Sequence, residues 1–216
     1  KTKYPQGGEK SLVKAVLDRE IPSGGLPADA GCLIQNVGTI CAIADAFKEG
    51  KPLIDRPFTV SGGGCKTPKN LIAPIGVVVG DLIAAGTITL GEDVTKIIAG
   101  GPMMGFAMAS ADFPVVKNTS GVLFLTEAET KAFEEGPCLG CARCAGACPM
   151  RLTPVMIHRC LGAGQLERAN KFGLLDCIEC GSCAYVCPAH IKLVQRFKVG
   201  KADLRRARQA LQKKGA

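Results

Sequence analysis

An α+β fold is what the sequence predicts, and three observations predict it. Gly (27) and Pro (13) are frequent in the 216 residues, while aromatics make up only 5% and Trp is absent, a turn-rich composition that argues against a helical bundle. Helical periodicity near the N-terminus gives way, from about Arg56 to Asp112, to short apolar runs and Gly turns, and then returns. Last, Cys138, Cys141, Cys144 and Cys148, with Pro149 next, form C-x2-C-x2-C-x3-C-P, and Cys177, Cys180, Cys183 and Cys187, with Pro188 next, repeat it 39 residues later.

Taken in order, the chain opens on a Gly-rich loop and Glu9–Asp18, where Leu12, Val13, Val16 and Leu17 share a helical face. A loop entering a helix N-terminus suits a phosphate or a flavin edge; a frayed terminal turn fits the pattern equally. The turn-rich stretch IPSGGLPAD leads to Gly31–Val37, an apolar run read as a buried strand, and then to a helix from about Thr39 to Glu49. Asn36 reads as the cap of that helix. Strands are predicted at Pro57–Ser61, Leu71–Ile75, Thr87–Leu90, Lys96–Ala99 and Val122–Leu125, with a helix at Val77–Ala85, together a β-grasp-like module. Gly100–Gly105 (GGPMMG) reads as a closely packed turn. Thr126 with Glu129 forms a capping box that predicts a helix to about Glu135. Beyond it, helices are expected at Thr153–Leu161, at Gln165–Phe172 and from about Lys192 to Lys214.

The cysteine spacing is that with which eight thiolates hold two 4Fe-4S clusters in bacterial ferredoxins, where the fourth Cys of each run ligates the other cluster. Cys138, Cys141, Cys144 and Cys187 are therefore assigned to one cluster, and Cys177, Cys180, Cys183 and Cys148 to the second. Paired C-x2-C units also build zinc ribbons, but a ribbon leaves the third and fourth Cys of each run without a role. Cys32, Cys41, Cys65 and Cys160 read as buried small apolar residues. His158 and His190 could bind metal, although eight thiolates make neither necessary. Thiols used as ligands point to a reducing compartment.

Net charge is +8, and from Lys192 onward nine Lys/Arg against Asp203 supply all of it, so the other 191 residues are balanced. The basic character belongs to a C-terminal helix and excludes a general nucleic-acid surface. With few apolar anchors, that helix is expected to be solvated, or to dock on anionic headgroups or an acidic partner. No secretory signal and no membrane-spanning run is present in the sequence.

KYPQGGEK, GGPMMG, TSGVLFL and DCIECGSCAYVCP in combination resemble the RnfC family, which belongs to the Rnf complex, a membrane-associated ferredoxin:NAD oxidoreductase that couples electron transfer to ion transport. The likeness spans essentially the whole chain and extends distantly to the flavin-bearing NADH subunit of respiratory complex I. It implies the C-terminal part of a flavin/NADH-binding α/β domain at 1–52, a soluble-ligand-binding β-grasp (SLBB-like) module at 53–125, a helical two-cluster domain at 126–191 and a basic helix at 192–216. Tyr4, Gly7, Gly8 and Glu9 correspond to the loop beside the flavin and nicotinamide, and Gln35, Asn36 and Thr39 to the segment on the flavin phosphate. Gly8 stands where the complex I protein has an acid. The family's Gly-rich flavin and NADH loop precedes the point matched by Lys1, so FMN is expected of a longer protein.

The resemblance implies an oxidoreductase subunit relaying electrons between an FMN/NAD(H) site and 4Fe-4S clusters, with no separate catalytic side chain. It would be peripheral on the cytoplasmic side of the cell membrane, its partners the other subunits of the complex, including an iron–sulfur subunit. A microcompartment cobalamin reductase, which resembles the same family, and a flavin-free iron–sulfur relay are the alternatives.

Overall fold

Residues 4–214 are described by a computed structural model, and they fall into two units: 35–132, and the residues up to Ile34 together with those from Phe133 onward. This division puts the first helix with the cysteine runs and the second with the sheet, whereas the sequence grouped both in residues 1–52.

The sheet unit is built on strict alternation in β1 (Asp55–Ser61), which sends Arg56, Phe58 and Val60 inward. β1 pairs antiparallel with β2 (Lys69–Pro74) and parallel with β5 (Gly121–Thr126). β5 pairs antiparallel with β3 (Val94–Ala99), which pairs with β4 (Phe106–Met108), giving the order β2-β1-β5-β3-β4. Pro57 is tolerated because pairing with β5 begins only at Thr59, so its missing N–H breaks no bond on that side. Phe58, Val60, Val122 and Phe124 pack with Val79 of the short helix α3 (Val79–Ala84) and with Ile88 and Val115. At Gly62 (φ +106°) a Cβ would strike the Phe124 carbonyl, so the turn after β1 needs Gly for both conformation and space. The unit also contains α2 (Val37–Glu49), whose apolar Val37, Ile40 and Phe47 are exposed.

The helical unit consists of α1 (Glu9–Leu17), a 3-10 turn at Pro27–Ala30, α4 (Arg143–Gly146), α5 (Pro154–Gly162), α6 (Leu166–Lys171), α7 (Ser182–Tyr185) and α8 (Leu193–Lys214). Ile157 and Cys160 of α5, Ala169 of α6, Leu174, and Leu193, Phe197 and Leu204 of α8 form its core. Gly200 brings α8 against α5, since a Cβ there would lie 2.6 Å from Leu161.

Several expectations need correction. Residues 32–36 form no strand: no described strand pairs with them and Leu33 is 82% exposed. The capping box at Thr126 opens only a turn. Glu129 accepts from the Thr126 amide at 3.0 Å but also from the Gly63 amide at 2.9 Å, so its carboxylate pins the end of β5 to the turn after β1. Residues 87–90 contribute an isolated bridge, Cys65 to Leu90, rather than a strand. β4 arises where the GGPMMG turn returns the chain along β3, a pairing that three residues cannot announce. α8 is no solvated appendage, because Leu193, Phe197 and Leu204 fall on one stripe and enter the core, while Val199 and Leu211 stay exposed. Cys65 and Cys160 are buried as expected, but Cys41 is exposed on α2 and Cys32 is only half-buried.

Candidate cluster-binding sites

The two cysteine runs fold alike. The first turn of helix after each run's second Cys, α4 and α7, starts at equivalent positions, 143 and 182. Three left-handed residues also recur at the 39-residue offset: Gly140 and Glu179, Ala142 and Gly181, Arg151 and His190. Each run is thus a loop of repeated chirality changes, which brings its first three Cys residues to the wall of one cavity.

That space is shared between the runs. One cavity is lined by Cys138, Cys141, Cys144 and Cys187, with Ile191, Leu193 and His158 in its wall. The other is lined by Cys177, Cys180, Cys183 and Cys148, with Ile157, Val194 and Phe197. In both, three thiols come from one run and the fourth from the other. His190 takes no part: its ring stacks on Phe133, centroids 4.3 Å apart.

The donor set tests what such cavities can hold. Among the described residues no three His, Cys, Asp or Glu side chains close on a point in the way a single ion requires; Zn–S bonds of about 2.3 Å would draw four thiols together. Here the thiols line a space instead. Backbone amides already face the sulfurs, Leu152 N–H to Cys148 Sγ and Glu179 N–H to Cys177 Sγ, each at 3.4 Å. Apolar walls, four thiols and amide donors to sulfur suit an iron–sulfur cluster, whose properties depend on hydrogen bonds to its sulfurs and on exposure. Burial pushes the Cys183 thiol up to about 12 and raises Cys177 and Cys144, the last opposed in part by the Val155 and Ala145 amides. Neutral thiols are favoured in such walls, so binding a cluster as thiolates releases protons.

The N-terminal segment is fixed to the second run. Tyr4 Oη donates to the Cys180 carbonyl at 2.6 Å, and burial followed by the neighbouring Cys180 raises its pKa. Asp176, which precedes Cys177, accepts from Ser23 Oγ at 2.7 Å and pairs with Lys10 at 3.7 Å. Gly8 is tightly placed: a Cβ would sit 3.3 Å from the Pro5 carbonyl and 3.9 Å from Ile178. Tyr4, Gly7, Gly8 and Glu9 therefore lie in the helical unit, and Gln35, Asn36 and Thr39 in the sheet unit.

Asn36 is the N-cap of α2, its Oδ1 accepting from Gly38 N–H at 3.0 Å. The same oxygen accepts from Arg56 Nη2 at 3.2 Å, an arrangement that the sequence reading missed. Arg56 is 8% exposed, and its Nε has no protein partner among the described residues. A Cβ at Gly38 would lie 2.5 Å from Nη1, so Gly is what admits the guanidinium to this helix end. An inward-facing Arg in the alternation of β1 was the available signal.

Glu135 latches α8: its carboxylate accepts from the Lys192 amide and from Arg196, whose guanidinium also lies 3.3 Å from His158 Nδ1. The Lys192 amide, aided by Arg196, holds the Glu135 carboxyl below its ordinary 4.5, so its stabilising contribution is present above that value and is lost as pH falls. Burial and Arg196 lower His158, which disfavours its charged form and acts in the same direction. Thermal melts are expected to fall on acidification through this range, and Glu135→Gln should flatten that dependence; an unchanged pH profile in the variant would remove the latch.

Comparison with known proteins agrees with this geometry. Residues 1–45 match the family model of the Nuo51 FMN-binding domain, and residues 131–188 match that of the 4Fe-4S dicluster domain. The chain is 48% identical over 209 residues to the C subunit of the proton-translocating ferredoxin:NAD(+) oxidoreductase complex of Clostridium ljungdahlii, covering 95% of this chain and 45% of that protein. It is 44% identical over 204 residues to the C subunit of the ion-translocating oxidoreductase complex of Rhodobacter capsulatus, covering 94% and 39%. The Na(+)-translocating counterpart from Acetobacterium woodii is 41% identical over 204 residues, covering 94% and 46%. The chain thus spans less than half the length of these relatives.

Proposed function

We propose, from the premise that the chain belongs to the C-subunit family of ion-translocating oxidoreductases, that it is the electron-relaying part of such a protein. The observation that carries the reading is the pair of four-thiol cavities. Cys138, Cys141, Cys144 and Cys187 would hold one 4Fe-4S cluster, and Cys177, Cys180, Cys183 and Cys148 the other. When bound, flavin divides the two electrons of a hydride and the clusters carry them singly.

FMN would be held by the longer protein, with Tyr4, Gly7, Gly8 and Glu9 along its edge and Gln35, Asn36 and Thr39 toward its phosphate. The buried Arg56 and the capped N-terminus of α2 suit that anion. Residues 1–52 then read as the end of a flavin domain, 53–125 as an SLBB-like module, 126–191 as the cluster domain and 192–216 as its closing helix. The substrate would be NAD(H), and the partners the remaining subunits of the complex, an iron–sulfur subunit among them. No described helix is long and apolar enough to cross a membrane; the peripheral place on the cytoplasmic face is proposed from the likeness to the family. Exposed Lys198, Arg205, Arg206 and Lys213 on α8 suit anionic headgroups; equal binding to neutral and anionic vesicles would overturn that contact.

Anaerobic quantification of iron, sulfide and flavin on the full-length protein, with EPR after reduction by NADH, tests the reading. About eight irons with flavin and NADH-dependent cluster signals are expected. About eight irons without flavin would leave only a relay, and fewer than about four would overturn the cluster assignment.

A further inference from the structure

Lys201 is the one charged side chain on the buried stripe of α8, between Phe197 and Leu204, and it is 8% exposed. Its ammonium donates to the Cys177 carbonyl at 2.6 Å and to Glu179 Oε1 at 2.7 Å. Glu179 occupies the middle of the second run's Cys177-x2-Cys180 turn, with φ +57°, a left-handed conformation unfavourable for a residue with a Cβ. The first run has Gly140 at the equivalent place, which adopts φ +68° without that cost. A carboxylate carried on a left-handed residue of one run, met there by a buried cation from a distant helix, breaks the symmetry of the two runs. Lys198 lies 3.8 Å from the same carboxylate but is exposed, so solvent screens it far more. Neither cavity has a carboxylate in its wall: the Lys201–Glu179 pair reaches the second through the Cys177 carbonyl, whereas behind the first Arg196 and Glu135 are exposed and stand beyond His158.

We infer that Lys201 and Glu179 are redox-tuning residues that make the two clusters inequivalent, the ammonium favouring and the carboxylate opposing reduction of the cluster held by the second run. The inference rests on the cluster reading above. Reduction adds one negative charge to the cluster, which a buried cation beside a ligand's own carbonyl stabilises, and low surrounding dielectric amplifies the effect. The two halves of the pair therefore have opposite signs, a signature that loss of packing does not produce.

The test is an EPR-monitored redox titration of anaerobically purified full-length protein, its two signals assigned by a variant lacking Cys138. With Lys201→Gln, the second-run cluster is expected to shift to more negative potential by at least a tenfold change in its reduced-to-oxidised ratio at fixed poise, about 59 mV for one electron. Glu179→Gln should shift it the other way, Lys201→Arg should restore the parent value, and the first-run cluster should stay in place throughout. Equal shifts of both clusters, or shifts of one sign in both variants, would overturn the inference. Should Lys201→Gln lose its cluster, Glu179→Gln decides: an unmoved potential with full iron content overturns it. A parent protein with fewer than about four irons would instead mark failure of the cluster reading itself.

Discussion

Replacing Cys187 by Ala is expected to abolish the cluster of the first run, not of the run in which Cys187 lies. Cys187 lines the cavity with Cys138, Cys141 and Cys144, while its own run meets Cys148 in the other. Pro188 follows it directly, and the left-handed His190 then turns the chain away toward Ile191 and Leu193, which wall the first cavity. Iron should fall from about eight to about four per chain, and the EPR signal lost should be the one lost in Cys138→Ala. Cys148→Ala should behave as the mirror image and match Cys177→Ala. If Cys187→Ala instead removed the Cys177→Ala signal, each run would hold its own cluster and the shared cavities would have to be abandoned as ligand sets.

Removing both clusters should unfold the helical unit while the sheet persists. Ile157 and Phe197 belong at once to the hydrophobic core and to the wall of the second cavity, as Leu193 and Ile191 do for the first. An unfilled cavity forfeits contacts on all of those side chains. Structural zinc contributes roughly 10–16 kcal/mol in zinc-finger peptides, comparable with the whole stability of a domain at about 5–15 kcal/mol, and by the same coupling of ligation to folding this helical core is not expected to survive the loss of both clusters. The sheet has its own core in Phe58, Val60, Val122 and Phe124, none of which lines either cavity. Hydrogen exchange after anaerobic chelation should show amides of α5 and α8 losing protection and those of β1 and β5 keeping it. Retained protection in α8 would mean that the clusters occupy a scaffold already stable without them.

Much of this was legible in the residues because the signals were local. The cysteine spacing gives the two loops, and both the longer helices and the sheet strands other than β4 follow their apolar periodicities within a few residues. What escaped depends on partners distant in sequence. The Thr126–Glu129 pair has the composition of a helix start, yet Glu129 also serves the Gly63 amide, 66 residues away. Gly31–Val37 has the composition of a strand, but no described strand lies beside it. Lys201 looks like one more cation in a basic helix until the stripe formed by Leu193, Phe197 and Leu204 is seen to include it. The attachment of Tyr4 and Ser23 to the second run joins residues more than 150 positions apart, which no pattern within either segment announces.

The helical unit is discontinuous, assembled from residues before Ile34 and after Phe133 with the sheet unit in between. Synthesis proceeds from the N-terminus, and domains fold as they are completed. The sheet unit is therefore finished before Cys138 leaves the ribosome, whereas α1 must wait for Asp176 and the first run for Cys187. For that interval Cys138, Cys141 and Cys144 are present without Cys187, which lines the same cavity, so under the proposed ligand sets cluster delivery is expected only after the second run has emerged. The order of the chain is thus also a timetable for its maturation.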